Sequence, residues 1–412
     1  MLESALINWG IDWLSLLGRW LHLITGIAWI GASFYFVWLD NHLLAPTRKE
    51  LSEAGVSGEL WAVHGGGFYN PQKYRVAPAT LPPHLHWFYW EAYSTFLSGF
   101  FLLCLLYYAQ AEIYLIDPAV MALSKPLAIA IGLGFLVVGW LVYDGLCRSP
   151  LARNERALAA VIALLLCVEA WALCHLFSGR GAYIEFGATL GTIMVANVFF
   201  VIIPGQRQLV EAKRQGREPD PIHGIRGKQR SVHNTYFTLP VLLVMISNHY
   251  AMTYGAAYNW LVLIAMSAAG AAIRAWFVAR HKAHERGGKT SPVSLIIGLL
   301  LLAAVALALT PRSSAPVQTS LAPVIEGGDE FAAVQAIITQ RCAGCHAGAP
   351  TQPGFAVAPK GVLLDSPEHI LAQTAAIQQQ ISSKAMPIGN LTGMTDAERA
   401  TVLTWIEHGA PH

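Results

Sequence analysis

Eight apolar stretches, each long enough to cross a lipid bilayer as an α-helix, fill the first three quarters of the chain. They lie near residues 12–39, 89–111, 126–147, 157–177, 186–204, 236–256, 259–280 and 292–310. Charged residues make up only 13% of the chain, about half their usual share in a soluble domain. Because backbone polar groups find no partners in hydrocarbon, such stretches cross membranes as helices. The sequence predicts an all-α fold in which residues 1–310 form an eight-helix transmembrane bundle.

A Cys-x-x-Cys-His motif, Cys342 to His346, follows this region in a more polar segment. In such a motif two thiols bond to the edge of a haem c, and the adjacent histidine ligates its iron. No second cysteine pair accompanies the motif, which disfavours a zinc site. We therefore expect one covalent haem c on Cys342 and Cys345, with His346 as an axial ligand.

The segment around this motif predicts a small cytochrome c domain of the class I type. A tether rich in Pro, Ser and Ala covers residues 311–328, and the domain covers residues 329–412. Apolar residues recur at helical spacing before the motif, at Phe331, Val334, Ile337 and Ile338. Thr395 and Glu398 form a capping-box pattern that opens a final helix. Two helices that cross over a haem fit this pattern.

The sixth haem ligand is expected downstream, at Met386. This methionine lies in a loop marked by Pro and Gly, and a thioether ligand raises the haem potential. Met394 is the nearby alternative, and a third reading makes Met386 a packing residue of the domain core.

The basic residues give the chain an orientation. Haem c is attached outside the bacterial cytoplasm, so the C-terminal domain is expected in the periplasm. With eight spans the N-terminus lies on that side too, and the connections after spans one, three, five and seven face the cytoplasm. Most basic residues of the membrane region lie in those four connections, whereas the other three hold only Lys125 and Arg180. The predicted location is therefore the bacterial inner membrane.

Ionisable residues inside the spans indicate a further hypothesis, a haem b in the membrane domain. Arg19 and His22 share one face of the first span, with Gly18 and Gly26 on either side of His22. We expect His22 and His249 as the ligand pair and Arg19 beside a propionate. His175 is another histidine of the outer half, and hydrogen-bonded structural histidines are the simpler reading of each.

A second polar group lies on the cytoplasmic side. Four ionisable residues from the first long connection and from two spans contribute to it: His64, His86, Glu91 and His233. His64 opens a glycine triplet that permits close approach of a ligand to the backbone. Histidine and glutamate move protons near neutral pH, so these four are the candidate catalytic residues. Alternatively, the adjacent Trp87, Tyr89 and Trp90 form only an aromatic belt at the membrane interface.

Over nearly its whole length the chain resembles the membrane-bound bacterial urate oxidases, or urate hydroxylases, that carry a C-terminal cytochrome c. The motifs of the resemblance are Trp20–Leu23, Trp29–Gly31, His64–Tyr69, Leu85–Tyr93, His233–Thr238 and Ser247–Tyr250. The order of an eight-span domain followed by a Cys-x-x-Cys-His motif also matches. Taken together these motifs are specific to the family.

The resemblance implies oxidation of urate to 5-hydroxyisourate in purine degradation, with electrons passed through haem c to the respiratory chain instead of forming peroxide. The expected partners are urate, the lipid bilayer, and a cytochrome c or terminal oxidase as acceptor. A formal net charge of +2 gives no indication of nucleic-acid binding.

Composition and the haem motif fit a rival function equally well: a non-catalytic membrane subunit that takes electrons from a quinol or a partner dehydrogenase. The cytoplasmic group of His, Glu and aromatic residues distinguishes the two, since a conduit does not need it. A redox sensor is a third hypothesis, although the sequence carries no signalling motif. Sequence alone leaves open the electron acceptor and the oligomeric state.

Overall fold

The computed structural model describes residues 2–285, 288–310, 327–353, 355 and 358–412. It is 70% helical and 4% strand, which confirms the all-α class. Residues 311–326 of the predicted tether lie outside the described residues.

The first 310 residues form a bundle of long helices, with one long connection after the first helix. Its elements are α1 (Leu2–His42), α2 (Lys49–Glu53), β1 (Val56–Glu59), β2 (Ala62–His64), β3 (Gly67–Tyr69), β4 (Gln72–Tyr74), α3 (Trp90–Leu102), α4 (Ala111–Tyr114), α5 (Lys125–Arg148), α6 (Glu155–Leu176), α7 (Gly179–Ala196), α8 (Ile203–Arg214), α9 (Pro221–Ser247), α10 (Ala251–Tyr254), α11 (Asn259–Glu285) and α12 (Val293–Ala308). Two π-helical segments interrupt it: Leu103–Tyr108 continues α3, and Asn197–Ile202 joins α7 to α8. We call them the first and second π segments.

A long helix lies at each of the eight predicted stretches. Six helices within the described residues are long and apolar enough to cross a membrane. The shorter α12 is an apolar helix of 16 residues, and α9 begins with polar turns that include Arg226 and Lys228. The count of eight spans therefore stays a prediction.

Helix α7 is the centre of the bundle. It packs against α3, α5, α6 and α9, and its residues are buried except along one partly buried face that includes Ile184 and Ala188. Small residues permit this close packing: a Cβ atom at Gly139 of α5 would lie 2.6 Å from the Thr189 methyl group, and one at Gly187 would collide with Val244 of α9. A helix that is buried over most of its surface belongs to the interior of a large helical domain.

Helix α1 lies at the periphery, against α3 and α11. Its large apolar side chains are mostly exposed, among them Trp9, Trp20, Leu23 and Ile27. A continuous apolar surface of this kind suits a lipid environment.

The long connection between α1 and α3 contains two small antiparallel sheets. β1 pairs with β4, and β2 pairs with β3. Gly65 and Gly66 form the turn of the β2–β3 hairpin, with φ angles of +58° and +80°. Glycine is favoured at both positions because a two-residue hairpin turn needs positive φ. The sequence analysis explained the glycine triplet by close approach of a ligand. In the structure, the hairpin turn explains its first two glycines.

The C-terminal module contains α13 (Gly327–Arg341), α14 (Pro367–Ala372), α15 (Thr374–Ser382) and α16 (Asp396–Glu407). Helix α13 packs against α16 around Val334, Ile338, Val402 and Trp405, as the predicted pair of crossing helices requires. The capping box at Thr395 and Glu398 is present, which confirms that prediction.

The loop after α15 docks the module onto one end of the bundle. The Ser383 carbonyl group lies against Gly255, directly after α10. Gly389 is so close to α4 that a Cβ atom there would lie 2.6 Å from the Ile113 carbonyl oxygen. Both contacts are with connections that the sequence analysis places on the same side of the membrane as the module.

Substituting Gly187 by Ala tests the packing of α7 against α9. The added methyl group would overlap Val244, and we expect the variant to lose about 1–3 kcal/mol of stability. Gly191→Ala on the same helix is the control, because nothing lies within 4 Å of a Cβ atom there. Thermal unfolding in detergent measures both, and equal midpoints for the two variants would contradict the packing.

Candidate functional site

The Cys-x-x-Cys-His motif directly follows α13. Its residues continue the helical turn: the His346 amide donates to the Cys342 carbonyl oxygen at 2.9 Å, and the Cys345 amide donates to the same oxygen at 3.1 Å. Both thiols are free and partly buried. Burial raises the pKa of Cys342 to about 11 and also raises that of Cys345. The two thiols are therefore close together and neutral.

The His346 ring is oriented by the protein itself. Its Nδ1 atom lies 3.0 Å from the Val362 carbonyl oxygen and donates to it, which leaves Nε2 as the atom with a free lone pair. Histidines that ligate metals are held in this way by a carbonyl group or a carboxylate. The motif residues therefore fit an axial histidine beside two thioether attachment points.

The two candidate methionines lie in different surroundings. Met394 is 2% exposed and belongs to the apolar core of the module. Met386 is only partly buried, and the Arg399 guanidinium donates to its carbonyl oxygen at 2.6 Å. Met394 thus has a packing function, whereas Met386 lies in a loop that α16 holds in place. Met386 stays the predicted sixth ligand.

A second group of contacts fixes the end of α13 against the same loop and α16. Arg341 donates to the Glu398 carboxylate at 2.9 and 3.0 Å and to the Thr392 carbonyl oxygen at 2.5 Å. The backbone amide of Thr395 donates to Glu398 and, with Arg341, lowers the pKa of that carboxyl group. Charge-assisted bonds of this kind hold the two sides of the predicted haem cleft in a fixed relation.

Within the bundle, a polar network surrounds His233 of α9. Its Nδ1 atom lies 2.7 Å from the hydroxyl group of Tyr143, a residue of α5 that is 1% exposed. Asn197 donates to the Tyr143 oxygen at 3.0 Å and to the Asn234 side chain at 2.9 Å. We call these four side chains the His233 network. Asn197 is the first residue of the second π segment, and π-helical turns often occur at functional sites.

A buried ion pair adjoins the His233 network. Arg230 is 3% exposed and donates from Nη2 to Asp144 at 2.7 Å, and Arg148 donates to the other oxygen of Asp144 at 2.6 Å. The guanidinium group of Arg230 also lies 5.0 Å from the centre of the Tyr143 ring. Two cations face one carboxylate, so this group of three side chains carries net positive charge. The Nη1 atom of Arg230 and the Oδ1 atom of Asn197 are buried without a hydrogen-bond partner.

The other three predicted catalytic residues lie elsewhere. His64 ends β2 and is exposed. His86 is exposed and packs edge-on against Phe88 at 4.6 Å. Glu91 is partly buried in the first turn of α3. Among the described residues, no hydrogen bond or ring contact joins these three side chains to the His233 network.

The aromatic residues near Glu91 pack on the second π segment. Tyr93 contacts Phe199 with ring centroids 5.4 Å apart, and Trp87 and Tyr89 pack against the cluster that contains Val198. The second π segment therefore contacts both groups. Its Asn197 belongs to the His233 network, and its Phe199 packs against Tyr93.

The residues predicted to hold a haem b have different surroundings. His22 faces α3, with Nδ1 3.0 Å from the Thr95 carbonyl oxygen, and Gly99 leaves room for its ring. Helix α3 also covers Gly18, since a Cβ atom there would lie 3.0 Å from Phe101 and Leu102. His249 is exposed after the end of α9, and Arg19 is exposed and bonded to Ser15. His175 is bonded within its own helix, to the Trp171 carbonyl oxygen. The haem b stays a prediction.

Two buried carboxyl groups were missed by the sequence analysis. Glu185 of α7 is 0% exposed and Glu169 of α6 is 7% exposed. Asp144 and Arg230 were also passed over as site residues. The available signal was an ionisable residue within or at the end of an apolar stretch, which is rare unless it has a function.

Comparison with known proteins gives one positive result. The family model described as urate oxidase N-terminal matches residues 8–310. No curated protein matches, and no solved structure matches. The match covers the whole helical bundle from α1 to α12, and the chain therefore belongs to the urate oxidase N-terminal family.

Proposed function

We propose that this protein is a membrane-bound urate oxidase that converts urate to 5-hydroxyisourate and passes the electrons through its own haem c to a respiratory acceptor. The observation that carries the proposal is the union, in one chain, of a urate oxidase N-terminal domain and a docked module with an oriented Cys-x-x-Cys-His motif. Formation of 5-hydroxyisourate takes its oxygen from one water molecule and releases two protons and two electrons. A haem of this kind supplies one-electron transfer when bound.

The region around the His233 network and Arg230 is the best-supported place for urate. Urate is planar and anionic, and this region combines net positive charge with an unpartnered guanidinium nitrogen on Arg230 and an unpartnered amide oxygen on Asn197. Buried donors and acceptors without partners are rare, and a bound ligand is one way to satisfy them. Of the four predicted catalytic residues, His233 is the one that lies in this region.

His233 is suited to accept a proton from the substrate. The Tyr143 oxygen has two lone pairs: it accepts from Asn197, and it can accept from Nδ1–H of His233 as well. This tautomer fixes the ring and leaves the lone pair of Nε2 free to accept a substrate proton. His64, His86 and Glu91 stay predicted catalytic residues. His64 and His86 lie in the connection between α1 and α3, and Glu91 lies in α3.

The proposed location is the bacterial inner membrane, with the N-terminus and the module in the periplasm. The basic connections support this orientation, and the docking of the module on the connections at Ile113 and Gly255 agrees with it. The electron acceptor is then a periplasmic cytochrome c or a terminal oxidase that reaches the exposed side of the module.

Anaerobic addition of urate to the purified, air-oxidised protein tests the proposed function. We expect growth of the reduced c-type absorption bands, and no peroxide when the reaction is repeated in air with an acceptor cytochrome. A b-type band would reveal a membrane haem. Failure of urate to reduce a haem that dithionite still reduces would favour the non-catalytic electron-transfer subunit.

Exchange of the two methionines by leucine tests the sixth ligand. Met386→Leu is expected to remove the thioether ligand, lower the reduction potential of the haem and abolish the far-red band of a Met-ligated ferric haem. Met394→Leu is the matched control, because a swap of similar volume in the core is tolerated. A spectral change in the Met394 variant alone would assign the ligand to Met394 instead.

Substitution of His233 by Asn tests the catalytic histidine. Loss of a general base should slow urate-driven reduction of the haem by roughly 10²-fold or more, with the haem c spectrum unchanged. Tyr143→Phe removes only the hydroxyl group that orients the ring and should give a smaller loss. His175→Asn is the control, since this exposed side chain is bonded only to its own helix. Full activity of the His233 variant would remove His233 from the mechanism.

A further inference from the structure

Two carboxyl groups lie together in the interior of the bundle. Glu169 of α6 and Glu185 of α7 are close enough to interact electrostatically, and both are at least nine-tenths buried. The surrounding elements are α5, α6, α7 and the first π segment. The titratable groups that face the pair are Tyr108 and Cys104, and no salt bridge within the described residues involves either glutamate.

Each carboxyl group has one oxygen without a partner. The Oε1 atoms of Glu169 and Glu185 are buried and accept no hydrogen bond. Oε1 of Glu185 is directed at Gly132 of α5, where a Cβ atom would lie 2.7 Å from it and 3.1 Å from the Tyr108 hydroxyl oxygen. The glycine thus leaves room for this group, which a larger residue would fill. Two unpaired charges here would each cost several kcal/mol, so the pair holds protons.

The hydrogen bonds beside the pair come from Thr189 and Tyr108. The Thr189 hydroxyl donates to the Glu185 backbone carbonyl oxygen at 3.1 Å, the common arrangement of threonine in a helix. On the other side, the Tyr108 hydroxyl lies 3.4 Å from Oε2 of Glu185.

The first π segment links the pair to the end of the bundle where the module docks. Tyr107, the neighbour of Tyr108, donates to the Asn248 side chain at 3.0 Å, and Arg180 donates to the same oxygen at 2.8 Å. The Arg180 guanidinium group lies 5.0 Å from the ring centre of Tyr114 in α4, the helix that contacts Gly389 of the module. Of these two neighbouring residues, Tyr108 contacts the buried glutamate pair and Tyr107 contacts the outer group of Asn248 and Arg180.

We propose that Glu169 and Glu185 form a proton-exchange site inside the membrane-spanning bundle, which binds and releases a proton as electrons pass to the C-terminal module. The link to electron passage rests on the proposed function. On release, the O–H bond of one carboxylic acid breaks and its proton passes to a water molecule that leaves as hydronium, while Tyr108 keeps its proton and donates it to Glu185. The carboxylate left behind is stabilised by the second acid and by Tyr108, and no electron moves in this step.

The Gln variants of both residues test the proposal, since an amide keeps the neutral shape of the acid and cannot release a proton. Redox-induced infrared difference spectra are recorded on the full-length haem protein with the potential set electrochemically and no urate present. We expect a signal of a protonated carboxyl group that shifts in D₂O and is lost in Glu185→Gln and reduced or shifted in Glu169→Gln. Glu155→Gln, at the exposed start of α6, should keep the signal.

Turnover gives the second measurement. Urate-driven haem reduction should slow by roughly 10²-fold in Glu185→Gln, while electrochemical reduction of the haem is unchanged. A wild-type protein without the carboxyl signal, or Gln variants that both keep it, would overturn the site even if urate is oxidised at full rate. If the signal is present and assigned to Glu185 but urate reduces no haem, the proton-exchange site stands and the proposed function fails.

Discussion

The burial of most of α7 is the constraint on which the rest of this structure depends. A central helix in an apolar bundle can carry polar side chains only where neighbouring groups supply their partners. Here Glu185 and Asn197 lie on α7 or its continuation, and their partners come from the first π segment, α5 and α9. The glycines at positions 132, 139 and 187 bring those helices close enough for such contacts. Packing and polar chemistry therefore depend on the same helix.

The two π segments show how the bundle directs these side chains. A π-helical turn inserts an additional residue, so the side chains on either side of it change face. In the first segment this change lets Tyr107 reach Asn248 while Tyr108 reaches Glu185. In the second, Asn197 joins the His233 network while Phe199 contacts Tyr93 of α3.

The C-terminal module positions its ligand groups through bonds that do not involve a haem. Val362 orients the His346 ring, Arg399 holds the Met386 backbone, and Arg341 ties the end of α13 to Glu398. Because the Met386 loop also forms the docking surface, the expected iron ligand lies on the side of the module that faces the bundle. Under the proposed function, electrons from the bundle would enter the module on this side, and an acceptor would bind on the far side.

The sequence by itself determined what depends on local pattern. The apolar stretches predicted the long helices, the spacing before Cys342 predicted α13, and Thr395 with Glu398 predicted the start of α16, because hydropathy and capping act within a few residues. The Cys-x-x-Cys-His motif is a local pattern too. The tertiary structure alone decided which polar residues meet: His233 with Tyr143 across 90 residues, and Tyr108 with Glu185 across 77. It also placed His64, His86 and Glu91 outside the His233 network. Those outcomes follow from how helices distant in sequence pack together. The spacing of apolar residues along one helix does not show which other helix packs against it.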